Sequence, residues 1–505
     1  MSTTVSISGR DLSPAEVEAI ARDGATVAIA PAGRERMAAA VEIVARAAQA
    51  GEPVYGVTTG LGPRVVHRLD DDEAAAFSLH TIRGRAMAVG EPLSAELTRA
   101  AMVVRLNGLC AGGAGAGIAV ADGLAALLNA RVHPRIPRSG SIGAADLCML
   151  AHVGLTLIGE GEAELGGVVM PSADALGRAG LAPVALGPKD GLAICSSSAV
   201  SVGTATLALR DAEACLEAAQ IAAALSMEGF RANLSPLDAR VAAARPAPGQ
   251  EWAAGGLRRL LRGGDLETPG AARRLQDPLS FRCVSQVHGS LRVALDLLAQ
   301  ALAPELSGAA DNPVVLVQDA EILSTGNFHV PALALALDAT AVAVAQVAAP
   351  IAERQARLKT ERLSGLPQNL TRGSLTSSGM SPLSKTAYAL LTEIRQAAAP
   401  FAIHSTVSAD GVEDDSTGAA QAALRLVDQL ERLRLLIASE LVVAAQAVDL
   451  AAPSRLGAGT AAAQRWMREL VAPLGDDRPL GSDVERVAAA LRHGTLAARV
   501  AGAAE

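Results

Sequence analysis

Aromatic residues are scarce in this chain. They make up only 2% of its 505 residues, whereas hydrophobic residues as a whole make up 50%. Strands favour Val, Ile, Tyr and Phe, while Ala and Leu favour helices. Because alanine and leucine supply most of the apolar content, the composition predicts a mainly α protein. The length is sufficient for one large hydrophobic core, or for two to three cores of ordinary domain size.

Long runs of one charge sign are also absent. The net charge of −8 is spread over many short acidic and basic clusters, with no basic stripe interleaved with aromatic residues. A nucleic-acid partner is therefore not expected. The five cysteines lie far apart, without the Cys-x-x-Cys spacing of metal or redox sites. They are typical of reduced thiols, and we expect a cytoplasmic protein without a metal ion.

Neither a targeting segment nor a membrane anchor is indicated. The first residues lack a basic start and an apolar core, and Ser13 followed by Glu16 instead predicts a capped helix start. The most apolar stretch, residues 331–353, is long enough to span a bilayer, but polar residues such as Asp338 interrupt it. We interpret it as a buried helix of a soluble bundle, so no membrane partner is expected.

Apolar residues three and four positions apart predict long helices through the second half of the chain. Several exceed 25 residues, which is typical of an extended bundle of near-antiparallel helices. The predicted helices cover residues 199–227, 284–303, 331–358, 381–399 and 416–450. We therefore divide the chain into an N-terminal domain, 1–200, and a second part, 201–505, with the central long-helix bundle and the C-terminal helices.

The long connections between helices are where functional residues are expected. One of only two tyrosines, Tyr55, opens a Gly- and Thr-rich turn, "YGVTTGLG", which a ligand can approach closely. Further candidates are Arg282 in "QDPLSFRC", Asn312 in "ADNP", Phe328 in "TGNFHVP" and Glu413 in "DGVEDDST". Taken singly, each has an ordinary structural explanation, such as carboxylates that complement a helix N-terminus.

A series of short motifs, read in order, gives the chain a family resemblance. They are "VYGVTTGLGP", "VGEPL", "VHPRIPRSGSIGAADL", "LIGEGEA", "PKDGLAI", "QDPLSFRC", "QVHG", "ADNP", "GNFH", "SGLP", "ELVVAAQAVDL" and "DDRPLG". In this order and spacing they resemble the aromatic amino acid ammonia-lyase family, and histidine ammonia-lyases in particular. The resemblance implies a long-helix bundle of the histidine ammonia-lyase (fumarase/aspartase-like) type. It also implies a homotetramer whose active sites draw residues from more than one chain.

The segment "SGSIGAADLCML", residues 139–150, matches the loop in which this family builds its prosthetic group. Family members form an electrophilic methylidene-imidazolone from an internal Ala-Ser-Gly. The glycine nitrogen attacks the alanine carbonyl, and the serine loses water. This chain has Ala144-Ala145-Asp146 there, in a loop one residue shorter, so it lacks both the hydroxyl and the glycine. We therefore expect no cofactor.

Other positions that surround the prosthetic group in the family also differ. Ser196 begins a serine run where the family has Asn-Gly-Thr, Leu279 replaces a tyrosine, and Arg85 replaces the histidine of histidine-specific members. Lys385 takes a position that is apolar in the family, either as a surface lysine or as a site residue. The family's base, carboxylate clamp and pocket residues, by contrast, are matched by Tyr55, Arg282, Asn312, Phe328 and Glu413. The chain has therefore lost the residues of the prosthetic group selectively.

Selective loss of the electrophile indicates a substrate that does not need one. The prosthetic group acts by bonding to a free amine, whereas a quaternary ammonium has no lone pair. Trimethylamine also leaves as a neutral, weakly basic amine. We expect β-elimination of trimethylamine from a histidine-derived betaine, as in ergothionases, which convert ergothioneine to thiourocanate; hercynine is the close alternative. Such a reaction needs a base, a carboxylate clamp and a ring pocket.

The resemblance assigns these roles to particular residues. Tyr55, as phenolate, is the expected base, and Arg282 is the two-pronged clamp of the carboxylate. Glu413 and Lys385, together with Arg85, are expected to hold the ring and to stabilise the charge that develops at the β-carbon. Phe328 is expected to face the cationic leaving group. The remaining expected substrate-binding residues are Asn312 and Ser196.

Three other functions remain open. One is a different cofactor-independent elimination, addition or isomerisation on an aromatic or acyl substrate, with Tyr55 still acting as the base. Another is a non-catalytic homologue that serves as a structural or regulatory subunit of an active lyase. A conventional histidine or phenylalanine ammonia-lyase is the third, and the residues of the 139–150 loop disfavour it.

Overall fold

A computed structural model of the chain describes residues 3–61, 65–66, 68, 71–374 and 376–504. The predicted motif at the tyrosine turn ends with residues 62 and 63, which lie outside the described residues. The chain divides into two compact units, each built from three segments. The first comprises Met1–Arg210, Leu298–Leu337 and Pro400–Leu424, and the second Asp211–Leu297, Asp338–Ala399 and Arg425–Glu505.

Helices dominate the secondary structure, as the composition predicts. The helices up to the middle of the chain are α1 (Pro14–Ala21), α2 (Pro31–Gln49), α3 (Asp71–Arg85), α4 (Ala95–Cys110), α5 (Ile118–Ala130), α6 (Leu147–Leu157), α7 (Ser172–Arg178), α8 (Asp190–Cys195), α9 (Ala199–Phe230), α10 (Ala239–Ala244) and α11 (Gln250–Leu261). Those that follow are α12 (Leu279–Arg282), α13 (Val284–Glu305), α14 (Pro331–Leu358), α15 (Glu361–Ser364), α16 (Leu383–Gln396), α17 (Ala419–Ala451), α18 (Ala458–Leu470), α19 (Gly481–Arg492) and α20 (Thr495–Ala504).

Short strands connect the helices of the first unit. They are β1 (Thr4–Ile7), β2 (Thr26–Ile29), β3 (Val89–Pro92), β4 (Val132–Pro134), β5 (Pro137–Ser139), β6 (Glu162–Leu165), β7 (Val168–Pro171), β8 (Val314–Leu316) and β9 (Glu321–Leu323). β1 and β2 pair in parallel, with Thr4 opposite Thr26. The pairs β3–β5 and β8–β9 and the sheet β4–β6–β7 are antiparallel.

The long helices follow the predicted pattern closely. The predicted ranges agree with α9, α13 and α14 to within a few residues, and the capped start of α1 is confirmed, because Glu16 N donates to Ser13 Oγ at 3.2 Å. α17 begins three residues later than predicted, at Ala419, because Thr417 and Gly418 instead bond to the loop that precedes α6. Four of the five unit boundaries fall inside α9, α13, α14 and α17, so the compact units do not coincide with the division at residue 200.

The core of the first unit surrounds α4, most of whose residues are buried. Arg99 on this helix is buried, and its guanidinium donates to Ile20 O at 2.6 Å and to Leu128 O at 2.9 Å. These carbonyls lie in the last turns of α1 and α5, where helices leave backbone oxygens without an internal partner. One buried arginine therefore joins the C-terminal ends of two helices.

The core of the second unit contains a fully buried ion pair. Arg354 Nε lies 2.5 Å from Glu440 Oε1, and Ser226 Oγ donates to the same carboxylate oxygen at 2.8 Å. Beside the helices, the rings of Phe230 and Phe281 stack with their centroids 4.1 Å apart. Among the described residues, two helical stretches are long and apolar enough to cross a membrane, Asp190–Phe230 and Pro331–Leu358. Their most apolar windows are 100% and 61% buried.

Candidate active site

The loop between β5 and α6, residues 140–146, is closed by the segment that precedes α17. Gly143 has φ 87°, and a Cβ there would lie 2.2 Å from Thr417 Oγ1. The Thr417 hydroxyl donates to Gly143 O at 3.0 Å, and Gly418 N donates to Ile142 O at 3.0 Å. Only glycine allows this approach, so Gly143 fixes the residue 410–418 segment against the loop.

Asp146 anchors the other end of this loop. Its carboxylate is fully buried and accepts hydrogen bonds from Ser201 N at 2.8 Å, from Ser201 Oγ at 3.0 Å and from Ser141 Oγ at 2.8 Å. Burial raises the pKa of Asp146 above its ordinary value, and the hydrogen bonds from Ser201 and Ser141 oppose that shift. The carboxylate therefore joins the loop to the first turn of α9.

The residues of this loop do not fit the prosthetic group that the family resemblance implies. Ala145, at φ 60°, carries a methyl group where a hydroxyl has to be eliminated. The backbone nitrogen that would have to attack a carbonyl is that of Asp146, and it donates to Ser197 O at 2.8 Å. Ring closure would break this hydrogen bond and displace a buried carboxylate. These residues therefore do not fit the group, and the expected absence of a cofactor stays a prediction.

A pocket of about 200 Å³ opens over this loop within the first unit. It brings together six of the eight predicted site residues, from six separate segments of the chain. Its lining consists of Tyr55, Leu61, Arg85, Ala144, Ala145, Leu147, Leu192, Ser196, Asn312, Phe328, Ala409 and Glu413. Sequence reasoning did not find Leu61, Leu147, Leu192 and Ala409, which are apolar positions without a chemical signature.

The turn that carries Tyr55 is held by its own backbone. Val57 N and Thr58 N both donate to Val54 O at 3.0 Å. Gly56, which follows Tyr55, has φ 67°, and a Cβ there would lie 2.4 Å from the Leu192 side chain of α8. Close packing of the turn on α8 therefore requires this glycine, and it sets the half-buried Tyr55 at the pocket wall.

Arg85 and Glu413 bring opposite charges to the same pocket. Arg85 is the last residue of α3, and Glu413 N and O bond to Ser408 in the segment that precedes α17. Both charges act on Cys148 in the first turn of α6. Burial raises the pKa of this thiol, Arg85 lowers it, and Glu413 raises it. A cation and a carboxylate therefore lie close enough together to contact one small ligand.

Asn312 and Phe328 are positioned by hydrogen bonds in the connection before α14. Asn312 Oδ1 accepts from Thr325 N at 3.0 Å, and Asn312 lines the pocket. Phe328 O accepts from Ser198 Oγ at 2.6 Å, so the serine run supports the phenylalanine backbone. Next to it, His329 Nε2 lies 3.1 Å from Asp415 Oδ2. The pocket wall is therefore built by contacts between distant segments.

A buried charge cluster lies behind Asn312. Arg105 Nη2 is 2.6 Å from Asp311 Oδ1, both side chains are 1% exposed, and Arg105 also donates to Ala193 O. Lys189 donates to Pro313 O at 3.3 Å, and burial lowers its pKa to about 8. The available signals were an arginine in the apolar second half of α4 and the lysine of "PKDGLAI". Sequence reasoning did not assign a role to either.

Arg282 and Lys385 belong to the second unit and do not line this pocket. Arg282 ends α12, and its Nη1 donates to Gln276 Oε1 at 3.2 Å. Lys385 is exposed in the first turn of α16. Their assignment to the carboxylate clamp and to the ring site stays a prediction.

The long-helix fold and the pocket lining define an aromatic amino acid lyase. Residues 12–469 match the family model "Aromatic amino acid lyase", and the chain belongs to this family of carbon–nitrogen lyases. It is 40% identical to histidine ammonia-lyase of Symbiobacterium thermophilum over 494 residues, which cover 97% of each chain.

Two solved structures show the same fold at lower identity. Ergothionase from Treponema denticola, an ergothioneine-degrading enzyme, superposes with a TM-score of 0.93 at 30% identity, covering 98% of this chain and 99% of the other. Histidine ammonia-lyase from Trypanosoma cruzi superposes with a TM-score of 0.93 at 29% identity, covering 99% and 95%.

Proposed function

We propose that this protein is a cofactor-independent carbon–nitrogen lyase that eliminates trimethylamine from a histidine-derived betaine. The substrate is ergothioneine or hercynine, and the product is thiourocanate or urocanate. The observation that carries the proposal is the loop at residues 144–146, which keeps the family's position but has neither the hydroxyl nor the free glycine nitrogen from which the electrophile is made.

The leaving group explains how the loop can differ from the family's cofactor loop while the pocket residues still match the family. An amino group is a poor leaving group, and the family's electrophile activates it by forming a bond to the nitrogen lone pair. A trimethylammonium group has no lone pair and departs as a neutral amine. A substrate of this kind gains nothing from the electrophile, but it still needs a base and precise orientation.

The proposed reaction is a β-elimination in which Tyr55 is the base. The phenolate oxygen takes the β-proton, and the electrons of the C–H bond form the Cα–Cβ double bond. The Cα–N bond breaks, and trimethylamine leaves with its electron pair. Tyr55 ends the step protonated and must lose that proton to solvent before the next turnover. The product is an acrylate conjugated with the ring.

Binding of the substrate is assigned to the predicted site residues, including Arg282 and Lys385, which do not line the pocket of the first unit. Arg282 pairs with the carboxylate through both arms of its guanidinium. Glu413 and Arg85 contact the imidazole-type ring and stabilise charge at the β-carbon, and Lys385 assists them. The face of Phe328 attracts the trimethylammonium cation. The remaining contacts come from Asn312 and Ser196.

The similarity to ergothionase supports this assignment, because that protein degrades ergothioneine and covers nearly the whole chain. The second candidate is ammonia elimination from histidine, which the 40% identity to a histidine ammonia-lyase favours. Ammonia elimination requires residues 144–146 to form the electrophile, whereas elimination from the betaine does not. Since those residues do not fit the electrophile, we rank elimination from the betaine first.

We further propose that the enzyme is a cytoplasmic homotetramer. Large apolar side chains are exposed along two of the long helices, at Val293 and Leu297 of α13 and at Leu335 and Val342 of α14. Exposed apolar stripes of this kind are typical of subunit interfaces. A shared site would also explain why the predicted clamp Arg282 does not line the pocket of the first unit.

The proposal is tested by a substrate panel. Purified protein is incubated with ergothioneine, hercynine, histidine and phenylalanine, and released trimethylamine and ammonia are quantified together with the ultraviolet absorbance of the conjugated product. We expect trimethylamine from at least one betaine and no ammonia. Ammonia from histidine would establish the second candidate. If no betaine releases trimethylamine, and Tyr55→Phe behaves like wild type, the result would favour a non-catalytic homologue.

A further inference from the structure

Three carboxylates follow one another in the segment before α17, at residues 413–415, and their surroundings differ. Glu413 lines the Tyr55 pocket, and Asp415 contacts His329. Asp414 is exposed and forms no ion pair in the described part of the chain. Acidic residues before a helix are commonly explained by the helix dipole, which acts on all three alike. The contact with His329 sets Asp415 apart from the other two.

Both oxygens of Asp415 are bonded, and they bind different parts of the chain. Oδ1 accepts from Ser405 Oγ at 2.8 Å and from Ser416 N at 2.9 Å, both within the same segment. Oδ2 lies 3.1 Å from His329 Nε2, in the connection before α14. The hydrogen bonds from Ser405, His329 and Ser416 lower the pKa of Asp415 below its ordinary value, which favours the carboxylate. An ionised carboxylate only accepts, so the imidazole donates through Nε2.

The backbone around His329 is itself bonded to the pocket. His329 forms an antiparallel bridge with Ala144 of the 140–146 loop, and the preceding Phe328 O accepts from Ser198 Oγ at 2.6 Å. Ala144 and Phe328 both line the pocket. The His329 side chain is 24% exposed, whereas that of Asp415 is 70% exposed. The imidazole therefore extends from a fixed backbone toward a carboxylate on the surface.

The turn just before Asp415 carries two pocket residues, Ala409 and Glu413. Ser408 N donates to Glu413 O at 2.7 Å and closes this turn. Ala409 has φ 49° and Asp410 has φ 55°, a left-handed conformation that costs an L-residue such as alanine roughly 1–2 kcal/mol. A turn of this kind persists where contacts outside it offset the cost. The ion pair with the imidazole is such a contact, two residues beyond Glu413.

We propose that His329 is a positioning residue of the Tyr55 pocket. Its imidazole holds Asp415, and this contact fixes the turn that presents Glu413 to the ring of the substrate. His329 does not line the pocket and acts only through the segment that it holds. The task of Glu413 at the substrate ring rests on the proposed function, whereas the fixing of the turn by His329 does not.

Amide hydrogen exchange of the full-length protein tests the fixing of the turn without any substrate. In His329→Ala, the amides of residues 405–418 should exchange about tenfold faster, the ratio for one hydrogen bond to a charged group, while those of α17 stay unchanged. His329→Gln places an N–H donor near the position of Nε2 and should restore the exchange of wild type. Asp415→Asn should also accelerate exchange, whereas the matched Asp414→Asn should not.

Turnover of the betaine tests the action through Glu413. His329→Ala should lower kcat/KM about tenfold, and His329→Gln should recover most of this loss. In a Glu413→Gln background, His329→Ala should cause no further loss, because the residue that it positions is already disabled.

The proposal is overturned if His329→Ala leaves the exchange of residues 405–418 unchanged, if Asp414→Asn and Asp415→Asn behave alike, or if the losses at His329 and Glu413 are additive. Should no betaine be turned over, the proposed function fails, and the exchange measurement still decides whether His329 fixes the turn.

Discussion

The carboxylate of Asp146 accepts both the backbone N–H and the hydroxyl of Ser201, at 2.8 and 3.0 Å. This pair joins the degenerate cofactor loop to the start of α9, inside a fully buried environment. It fixes the C-terminal end of the loop, where Asp146 N also donates to Ser197 O at 2.8 Å.

Replacing Asp146 should therefore destabilise the fold. Asp146→Ala leaves the donors of Ser201 and Ser141 unsatisfied and should lower the free energy of unfolding by about 2–4 kcal/mol. Urea unfolding at fixed pH measures this loss. The control is Asp174→Ala at an exposed position in α7, which should change stability by less than about 0.5 kcal/mol. Equal effects of the two substitutions would contradict the anchoring role.

The same residue predicts a pH dependence. Burial raises the pKa of Asp146 in the folded state, so the folded protein holds this proton more tightly than the unfolded chain. Its contribution to stability is complete below the unfolded pKa of about 3.9 and is lost as pH rises through the folded pKa. Asp146→Asn should remove that decline from the stability profile.

Tyr55→Phe should remove the base without disturbing the fold. General-base catalysis contributes about 10²–10⁴-fold, so kcat for the betaine should fall by that factor while KM changes little. Tyr388→Phe is the matched control, because Tyr388 is the other tyrosine. It is an exposed residue of α16, and its hydroxyl donates to Glu353 of α14. Comparable kcat values for the two variants would rule out Tyr55 as the base.

Arg105 and Asp311 should behave as a coupled pair. Arg105→Met and Asp311→Asn each break a buried ion pair and should cost about 3–5 kcal/mol, and the double variant should cost clearly less than the sum. Because Asp311 precedes Asn312, kcat/KM should fall in both single variants. The exposed pair Arg34–Asp122, 2.6 Å apart, provides the reference cycle, with an expected coupling below about 1 kcal/mol. Additive losses at Arg105 and Asp311 would show that the pair is not coupled.

Much of the helical architecture could be predicted from periodicity, because α9, α13 and α14 are long and apolar on one face. The pocket residues were predicted from the family motifs and their order, not from periodicity or composition. Tyr55 and Glu413 are far apart in sequence, so no local pattern connects them. The buried pair of Arg105 and Asp311 was not foreseen, because an arginine in an apolar helix does not reveal its partner 206 residues away. The segmented units were missed for the same reason: long-range contacts leave no local signal.

The loop at residues 140–146 should remain chemically unmodified. Intact mass spectrometry should return the mass of the unmodified chain, because ring formation would remove two waters. Ala145→Ser restores a hydroxyl, yet its mass should also show no water loss, since Asp146 still replaces the glycine and its nitrogen still bonds to Ser197 O. A loss of two waters in wild type would instead require a prosthetic group built at another serine of the chain, because residues 144–146 have no hydroxyl to eliminate.

Complementation should show whether Tyr55 and Arg282 act from different chains. Each of the variants Tyr55→Phe and Arg282→Ala should be inactive alone, because one lacks the base and the other the carboxylate clamp. If a site combines Tyr55 of one subunit with Arg282 of another, co-expression of the two variants should restore about a quarter of wild-type activity by random assortment. The control mixes Tyr55→Phe with the double variant and should stay inactive. Without restored activity in the first mixture, both residues must come from the same chain, and the absence of Arg282 from the pocket lining would then count against its role as the clamp.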